Sequence, residues 1–532
     1  MLMIKPSLYF HTVKSMKPEQ IFYRIWKMIG QDCSIGCNIR EQVNSVNPIK
    51  VIPELDFDSK FLARFSVDEW MEDKVTLLHS FHQMTWNQRW DCEQKSTLWN
   101  FNLHYFEFLF PIFYAYQKTG DRRYLNKTTD MILNWIKWNP QNKGGNGWSP
   151  YTIDLRLTNW ISFYSYAEHY LSDDFKEKMI ASVHEQYRFL SKHLEKDIQG
   201  NHYFEDLKTL VLCAIFFQDF TMLDTALREL KKECKEEILK DGMHFELSPM
   251  YHNLILEGII KVAVALRGYS HPDSDLEAYI QPMINAAWSL QESIERIPLF
   301  NDGGDNVSKS LEALVTAVEV YFNIKPVFKN EFYYAGYYIF KKNDWKLIVD
   351  AGQPGPSYIP GHAHCDALSF ELYKAGVPVI TNCGTYAYQS ELRNFFRSTA
   401  AHNTVLINQV EQSQCWGIFR MAKRSRVRVL EVDSHKIIME MQDQCGMKVR
   451  RTINIAEKLT VTDEAENEEL TAYLHPLIPV SVSFICDNLE KQQQFYAPEY
   501  GKYEKIYAIE YRGKGRLTLE IQLDDKTGGN HE

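Results

Sequence analysis

The chain has 532 residues, 45% apolar and 24% charged, enough for two to four domains at roughly 150 residues each and for large buried cores. An aromatic content of 14% excludes a disordered chain, and a formal charge of -10 argues against a non-specific nucleic-acid binder, which needs a broad basic face. Ten cysteines without a CxxC pair fit reduced thiols better than a disulfide framework.

The opening segment MLMIKPSLYF sets Lys5 and Pro6 where a signal peptide would run apolar, and it offers no small-residue cleavage site. The most apolar stretches, residues 210–217 and 255–266, fall short of the roughly 20 residues that span a bilayer. The expectation is a cytoplasmic protein with no membrane contact and no nucleic-acid partner. From about residue 60 to 325 the periodicity is helical: Met179, Val183, Tyr187, Leu190 and Leu194 recur at steps of three and four, as do Tyr124, Thr128, Met131 and Trp135. After Pro326 the period becomes two, with Leu517, Leu519, Ile521 and Leu523 in alternation and Val427 with Val429. Residues 367–373 and 377–381 around a turn at 374–376 read as a hairpin. Helices followed by strands predict a multidomain, all-α then all-β chain with its boundary near 325–335.

The sequence contains no GxxxxGK[ST], no GxGxxG after a strand, no GxSxG and no HExxH, which removes the P-loop, dinucleotide, serine-hydrolase and zincin classes. His244 and Glu246 form an HxE, but the PCxxC of a zinc deaminase is missing. The densest polar cluster is Gly361-His362-Ala363-His364-Cys365-Asp366. If extended, it puts His362, His364 and Asp366 on one face, where two imidazoles and a carboxylate can ligate a metal or act on substrate; the alternative is a hydrogen-bonded loop. A second cluster offers Arg393 and Arg397 as planar forks for carboxylate or sulfate, and His402. Between residues 393 and 428, Arg393, Arg397, Arg420, Lys423, Arg424, Arg426 and Arg428 meet only Glu411, which makes a polyanion-facing strip or a solvated strand face.

In the helical half, Asn201-His202-Tyr203-Phe204-Glu205-Asp206 follows Gly200 and opens an apolar run, and residues 241–253, with Tyr251, precede another helix. Polar groups at neighbouring helix starts would line one rim, or serve as caps. Trp99, Asn102, His104 and Tyr105, with Trp148 and Arg156, supply aromatic and polar surface for sugar rings, or ordinary aromatic core.

In that order, NHYFED, DGMHFELSPMYHN, GHAHCDALSFELY, NCGTYAY and RSTAAHNTVLINQVEQSQCWGIFR resemble the heparinase II/III-like polysaccharide lyases, a family of alginate and glycosaminoglycan lyases. The resemblance implies an incomplete (α/α) toroid followed by an antiparallel β-sandwich, with the site in the cleft between them. The division it suggests is an N-terminal helical extension over 1–60, the toroid over 61–328 and the sandwich over 329–532. It implies β-elimination on an acidic polysaccharide, a glycosaminoglycan such as hyaluronan, chondroitin or heparan sulfate, or alginate, to 4,5-unsaturated products. Asn201 and His362 would neutralise the uronate carboxylate. Tyr251 would protonate the leaving oxygen and take the C5 proton on its own face, and His202 would be the base for the opposite face. Glu205, Arg397, Arg393, Trp99, Asn102, His104 and Arg156 would bind substrate. His364 and His402 match two ligands of a divalent ion, zinc first, with manganese or calcium as harder alternatives. The aspartate expected with them is Asn382 here, a poorer zinc ligand, so that Asp366 or water substitutes or the site stays empty. No organic cofactor is implied. Two other readings stay open: a toroid glycoside hydrolase drawing on Asp154, Glu205, Glu246 and Asp302, and a non-catalytic glycan-binding protein of surface-polysaccharide assembly.

Overall fold

The computed structural model describes residues 6–37, 39 and 45–523. Residues 1–5, read above for a leader, and 524–532, at the end of the expected sandwich, lie outside the described residues. Two kinds of helix build the first part. Asn201–Phe216 buries every residue except His202, and Pro150–Ala167 and Pro249–Gly268 are buried on most sides. Arg122–Trp138, by contrast, buries one stripe, Leu125, Thr128, Met131, Ile132 and Trp135, and turns its charges outward. Asp173–Leu190 and Phe220–Glu237 follow the same pattern. A helix apolar on all sides belongs inside. Thr97–Tyr105, Pro150–Ala167, Asn201–Phe216 and Pro249–Gly268 accordingly pack in succession as an inner ring, with the amphipathic helices behind them. The result is an incomplete (α/α) toroid followed by antiparallel β-sheets.

The helical half is not wholly helical. Lys74–Leu77 and Ser80–Gln83 form an antiparallel hairpin closed by Leu78 and His79, both in the left-handed region at φ 48° and 56°. That geometry matches the twist of a two-residue hairpin turn, although neither residue is a glycine or asparagine.

From Glu331 onward the chain forms two main antiparallel sheets. A five-stranded sheet runs in chain order from Glu331–Phe332 through Tyr337–Lys342, Trp345–Asp350 and Phe370–Lys374 to Val377–Ile380. Both its faces are covered. Tyr338, Phe340, Leu347, Val349 and Leu372 share a core with the larger sheet, while Tyr337, Ile339, Ile348 and Tyr373 pack with Met243, Leu247, Leu290 and Phe300 of the toroid. Alternation along each strand sends one set to each side, which is why Trp345–Asp350 is buried at every position. The expected hairpin is present, but its first strand starts at Phe370 rather than 367 and its turn is Ala375-Gly376, at φ 46° and 87°.

In the eight-stranded sheet burial alternates along Lys436–Gln442, so one face is covered there, whereas residues 470–474 and Val405–Ile407 are buried at every position. The helices Pro6–Ser15 and Pro18–Met28 touch both parts: Trp416 Nε1 donates to Thr12 Oγ1 at 3.0 Å, and Gln20 Nε2 donates to the Ile198 carbonyl at 3.1 Å. Among the described residues no helix is long and apolar enough to cross a membrane.

Candidate active site

Two helix starts converge on a cleft of about 460 Å³ between the toroid and the sandwich. Asn201 and His202 open one inner helix and Tyr251 sits in the first turn of the next. Gly200, at φ 62°, leads into the first, and a Cβ there would lie 2.7 Å from Glu246 Oε1. Only glycine suits that conformation and lets the carboxylate approach. Glu246 then accepts from the Asn201 backbone N–H at 3.1 Å and from its side-chain Nδ2 at 2.9 Å, satisfying a helix N-terminus with an anion. The second helix is capped by Ser248, whose Oγ accepts from Tyr251 N at 3.3 Å and donates to the Asp302 carbonyl at 2.6 Å.

The sandwich side contributes His362. Its Nδ1 lies 2.9 Å from Asp302 Oδ2, its Nε2 lies 3.5 Å from Asn201 Nδ2, and its ring packs on that of Tyr251 with centroids 4.1 Å apart. Tyr251 Oη continues into a chain of hydroxyls, 2.8 Å to Tyr388 and from there 2.9 Å to Tyr500. His202, also on the cleft, has its Nδ1 2.8 Å from Glu195 Oε2. Asn201, His202, Glu205, Tyr251 and His362 therefore line one cleft, and Asn102 joins them.

Asp302 organises the sandwich side. Fully buried, it takes the Arg393 guanidinium as a fork, with Nη2 at 2.7 Å from Oδ2 and Nη1 on Oδ1. It also bonds His362, His364 Nε2 at 2.9 Å and Thr385 Oγ1 at 3.1 Å. Burial alone would raise its pKa; Arg393 and the two histidines outweigh burial and hold the carboxyl well below the usual carboxylate range. The same balance acts on Glu246, where burial is outweighed by His362, His244 and Asn201. Tyr251 goes the other way, with burial, then Tyr500, pushing the phenol well above 10 against the hydrogen bond from Tyr388.

Several residues expected to bind substrate lie elsewhere. Trp99 is core, with Nε1 donating to the Ser80 carbonyl at 2.9 Å; His104 is fully buried and accepts from Trp135 Nε1 at 2.8 Å. Their helix shows the cleft Leu98, Phe101, Asn102 and Tyr105 instead, one face at helical spacing. Arg156 is fully buried, bonded to Gln186 Oε1 and the Gly147 carbonyl, each at 2.7 Å, with its guanidinium 3.9 Å above the Trp135 ring. Arg393 is committed to Asp302. Arg397 is fully buried and donates to the carbonyls of Ala363, Ile418 and Arg420, clasping the loop that carries His362. The basic strip is thereby divided: Arg420 faces the cleft, Arg424 bonds the Pro356 carbonyl, and Arg428 pairs with Glu440. The carboxylates of the hydrolase reading are also engaged or sequestered, with Asp154 fully buried and Glu205 ion-paired to Lys208.

The candidate metal ligands form a hydrogen-bonded core. Residues 361–369 are a loop, so His362, His364 and Asp366 do not line a strand face. His364 spends Nε2 on Asp302 and places Nδ1 3.2 Å from His402 Nε2. Asn382 Oδ1 accepts from Asn403 N at 3.2 Å, and Asp366 Oδ2 accepts from Asn301 N at 2.9 Å. Burial takes the His364 imidazole down to about 4. Among the described residues no group of three or more His, Cys, Asp or Glu side chains is arranged to hold a metal ion; Asp302, His362, His364 and His402 contact one another through hydrogen bonds instead. Sequence reasoning assigned no role to Glu195, Tyr388 or Tyr500, and placed Asp302 only among hydrolase carboxylates. For Tyr388 and Asp302 the signals were the NCGTYAY motif and the polar, glycine-rich NDGGD segment.

Comparison with known proteins speaks to the family and the fold. The family profile described as heparinase II/III N-terminus matches residues 58–329, and that described as heparinase II/III-like, C-terminal, matches residues 328–488. A heparin-sulfate lyase of Pedobacter heparinus is 23% identical over 60% of this chain and 53% of its own length. One from Bacteroides thetaiotaomicron is 22% identical over 74% and 63%. The chain thus spans little more than half to under two thirds of these relatives. A crystal structure of heparinase III superposes with a TM-score of 0.69 at 16% identity, covering 96% of this chain and 93% of that one. The heparan sulfate lyase structure from Pedobacter heparinus gives 0.55 at 17% identity, covering 96% and 88%. At these identities the superpositions speak to fold alone, and the profiles, the first of which covers half of the chain, speak to descent: the chain belongs to the heparinase II/III family.

Proposed function

We propose that the protein is a polysaccharide lyase that cleaves a uronic-acid glycosaminoglycan by β-elimination, with heparan-sulfate-type chains the first substrates to test. The observation that carries this reading is the meeting of Asn201, Tyr251 and His362 in one cleft that His202 also lines. The choice of heparan sulfate leans on the relatives, which are heparin-sulfate lyases.

The chemical difficulty is a weakly acidic carbon next to a carboxylate. Its proton can be removed only if the charge that develops on the carboxylate is met by donors already in place. Asn201 Nδ2, held by Glu246, is such a donor, and His362, oriented through Nδ1 by Asp302, presents Nε2 beside it, so little reorganisation is needed when substrate arrives. A base then takes the C5 proton, the C–H electron pair becomes the C4–C5 double bond, and the C4–O bond breaks as Tyr251 gives its phenolic proton to the leaving oxygen. A buried phenol of raised pKa stays protonated at neutral pH, so its proton is present to be given to the leaving oxygen. Arg393 and Arg397 are engaged elsewhere, so the Tyr388 hydroxyl, 2.8 Å from Tyr251 Oη, is what supports a phenolate on Tyr251.

Mixing the purified protein with heparan sulfate, heparin, chondroitin sulfate, hyaluronan and alginate, and following ultraviolet absorbance, tests the reading. A rise from the conjugated 4,5-unsaturated uronate on one of them supports it. New reducing ends without that chromophore would replace it with a hydrolase, and binding without cleavage with a glycan-binding protein.

A further inference from the structure

His202 is the single residue of its helix that is not buried, and a carboxylate outside every motif stands behind it. Glu195 Oε2 lies 2.8 Å from His202 Nδ1, and the glutamate is only 6% exposed. Its backbone is pinned as well: the Glu195 N–H donates to Asp206 Oδ2 at 2.5 Å, and its carbonyl accepts from Ile198 N at 2.8 Å and Gln199 N at 2.9 Å. Tyr151, from the neighbouring inner helix, packs its ring 4.7 Å from the imidazole and fixes its plane. With Nδ1 held from behind, Nε2 is the nitrogen left for the cleft that His202 lines.

We propose that Glu195 is a positioning residue that fixes His202 as the Nδ1–H tautomer and supports its imidazolium, making the pair a proton-accepting unit in the cleft that Tyr251 also lines. The inference rests on the lyase reading for its chemistry but not for its geometry. A carboxylate behind an imidazole does this in general: it accepts from one ring nitrogen, leaves a lone pair on the other, and stabilises the cation once that lone pair is protonated. In the reaction, His202 Nε2 takes the C5 proton, the C–H electrons form the double bond, and Tyr251 supplies the proton for the leaving oxygen. Glu195 stays a carboxylate throughout.

The surroundings act in the same direction. Burial lowers the His202 pKa, and Glu195 from the preceding turn, Glu246 from the loop before the next helix and Asp206 from its own helix together raise it above the ordinary histidine value. A neutral base is then present only once the pH exceeds that raised value, so activity that uses His202 grows with pH on the acid side.

The test is Glu195→Gln in the full chain, read in two ways. Selective 13C labelling of histidine, with the His202 resonance assigned by its loss in His202→Gln, gives the titration of His202 without any substrate. The expected result is a midpoint above the ordinary histidine range in the native protein and a lower one in Glu195→Gln. In turnover, kcat at the plateau is expected to fall about 100-fold and the acid limb to move to lower pH, with Glu195→Asp recovering part of both. An unchanged His202 midpoint in Glu195→Gln would overturn the proposal whatever the substrate. A shifted midpoint with no turnover on any polysaccharide would leave the pair standing and sink the lyase reading instead.

Discussion

Asn201 and His362 meet across the junction of toroid and sandwich, Nδ2 to Nε2 at 3.5 Å, although 161 residues separate them in the chain. Each is held from behind by a buried carboxylate, Glu246 for the first and Asp302 for the second. The cleft therefore presents an amide donor and an imidazole edge whose positions are set before any substrate arrives.

Replacing Tyr251 with phenylalanine removes one hydroxyl from a packed site. Tyr388 keeps Tyr500 as a partner, so the expected stability cost is about 1 kcal/mol. Turnover is expected to fall by at least about 100-fold with substrate binding retained. Parallel measurement of kcat, KM and the thermal midpoint checks this, and a kcat near wild type would remove Tyr251 from the chemistry.

Asp302 links stability to acidity. Its folded-state pKa lies below the unfolded value, so its contribution is fully present above about pH 4 and is lost as the pH falls through the lower, folded-state value. In Asp302→Asn, Arg393 keeps its charge without a counter-charge, at a cost of about 3–5 kcal/mol. Thermal midpoints across pH 2 to 7, a range of about five units centred near the carboxylate values, should show a less stable variant with a flatter acid limb. Parallel curves for the two proteins would contradict this assignment.

Gly200→Ala is expected to harm the site more than its size suggests. The new methyl must take a left-handed backbone and displace Glu246 from Asn201, costing about 1–3 kcal/mol. A rise in KM alongside the loss of stability is the expected signature. A loss of stability with KM unchanged would mean that Glu246 does not position Asn201 for binding.

Arg156→Ala tests a placement. The guanidinium bridges three elements of the toroid interior rather than the cleft, so the variant should lose about 2–4 kcal/mol of stability through unpaired buried groups and lost packing. KM measured on the folded fraction below the shifted midpoint should match the wild type; a selective rise in KM would return Arg156 to substrate binding.

Much of this was legible in the sequence for stated reasons. A change of hydrophobic period near Pro326 separates helices from strands, and Gly200 and Ser248 mark the two helix starts that carry Asn201, His202 and Tyr251. Which face of Thr97–Tyr105 meets the cleft was not legible, because an inner-ring helix is apolar or aromatic on both sides and periodicity is then silent. The fates of Arg393 and Glu195 were hidden for different reasons. Arg393 finds its counter-charge 91 residues away, whereas Glu195 is only seven residues from His202 but lies in a turn that no pattern marks. The hairpin at Lys74–Gln83 escaped because its turn uses Leu78 and His79 in place of the glycine or asparagine that would announce it.

The five-stranded sheet that is covered on both faces ties the fates of the two halves together. Expressed apart, a helical half would carry Met243, Leu247 and Phe300 uncovered, and a strand half would show Tyr337, Ile339 and Ile348 to water. Such patches drive association of unpartnered fragments. Cutting the chain at the boundary should thus yield two sticky pieces that regain solubility on co-expression, and a cleavage at that point would disable the cleft without touching any residue that lines it.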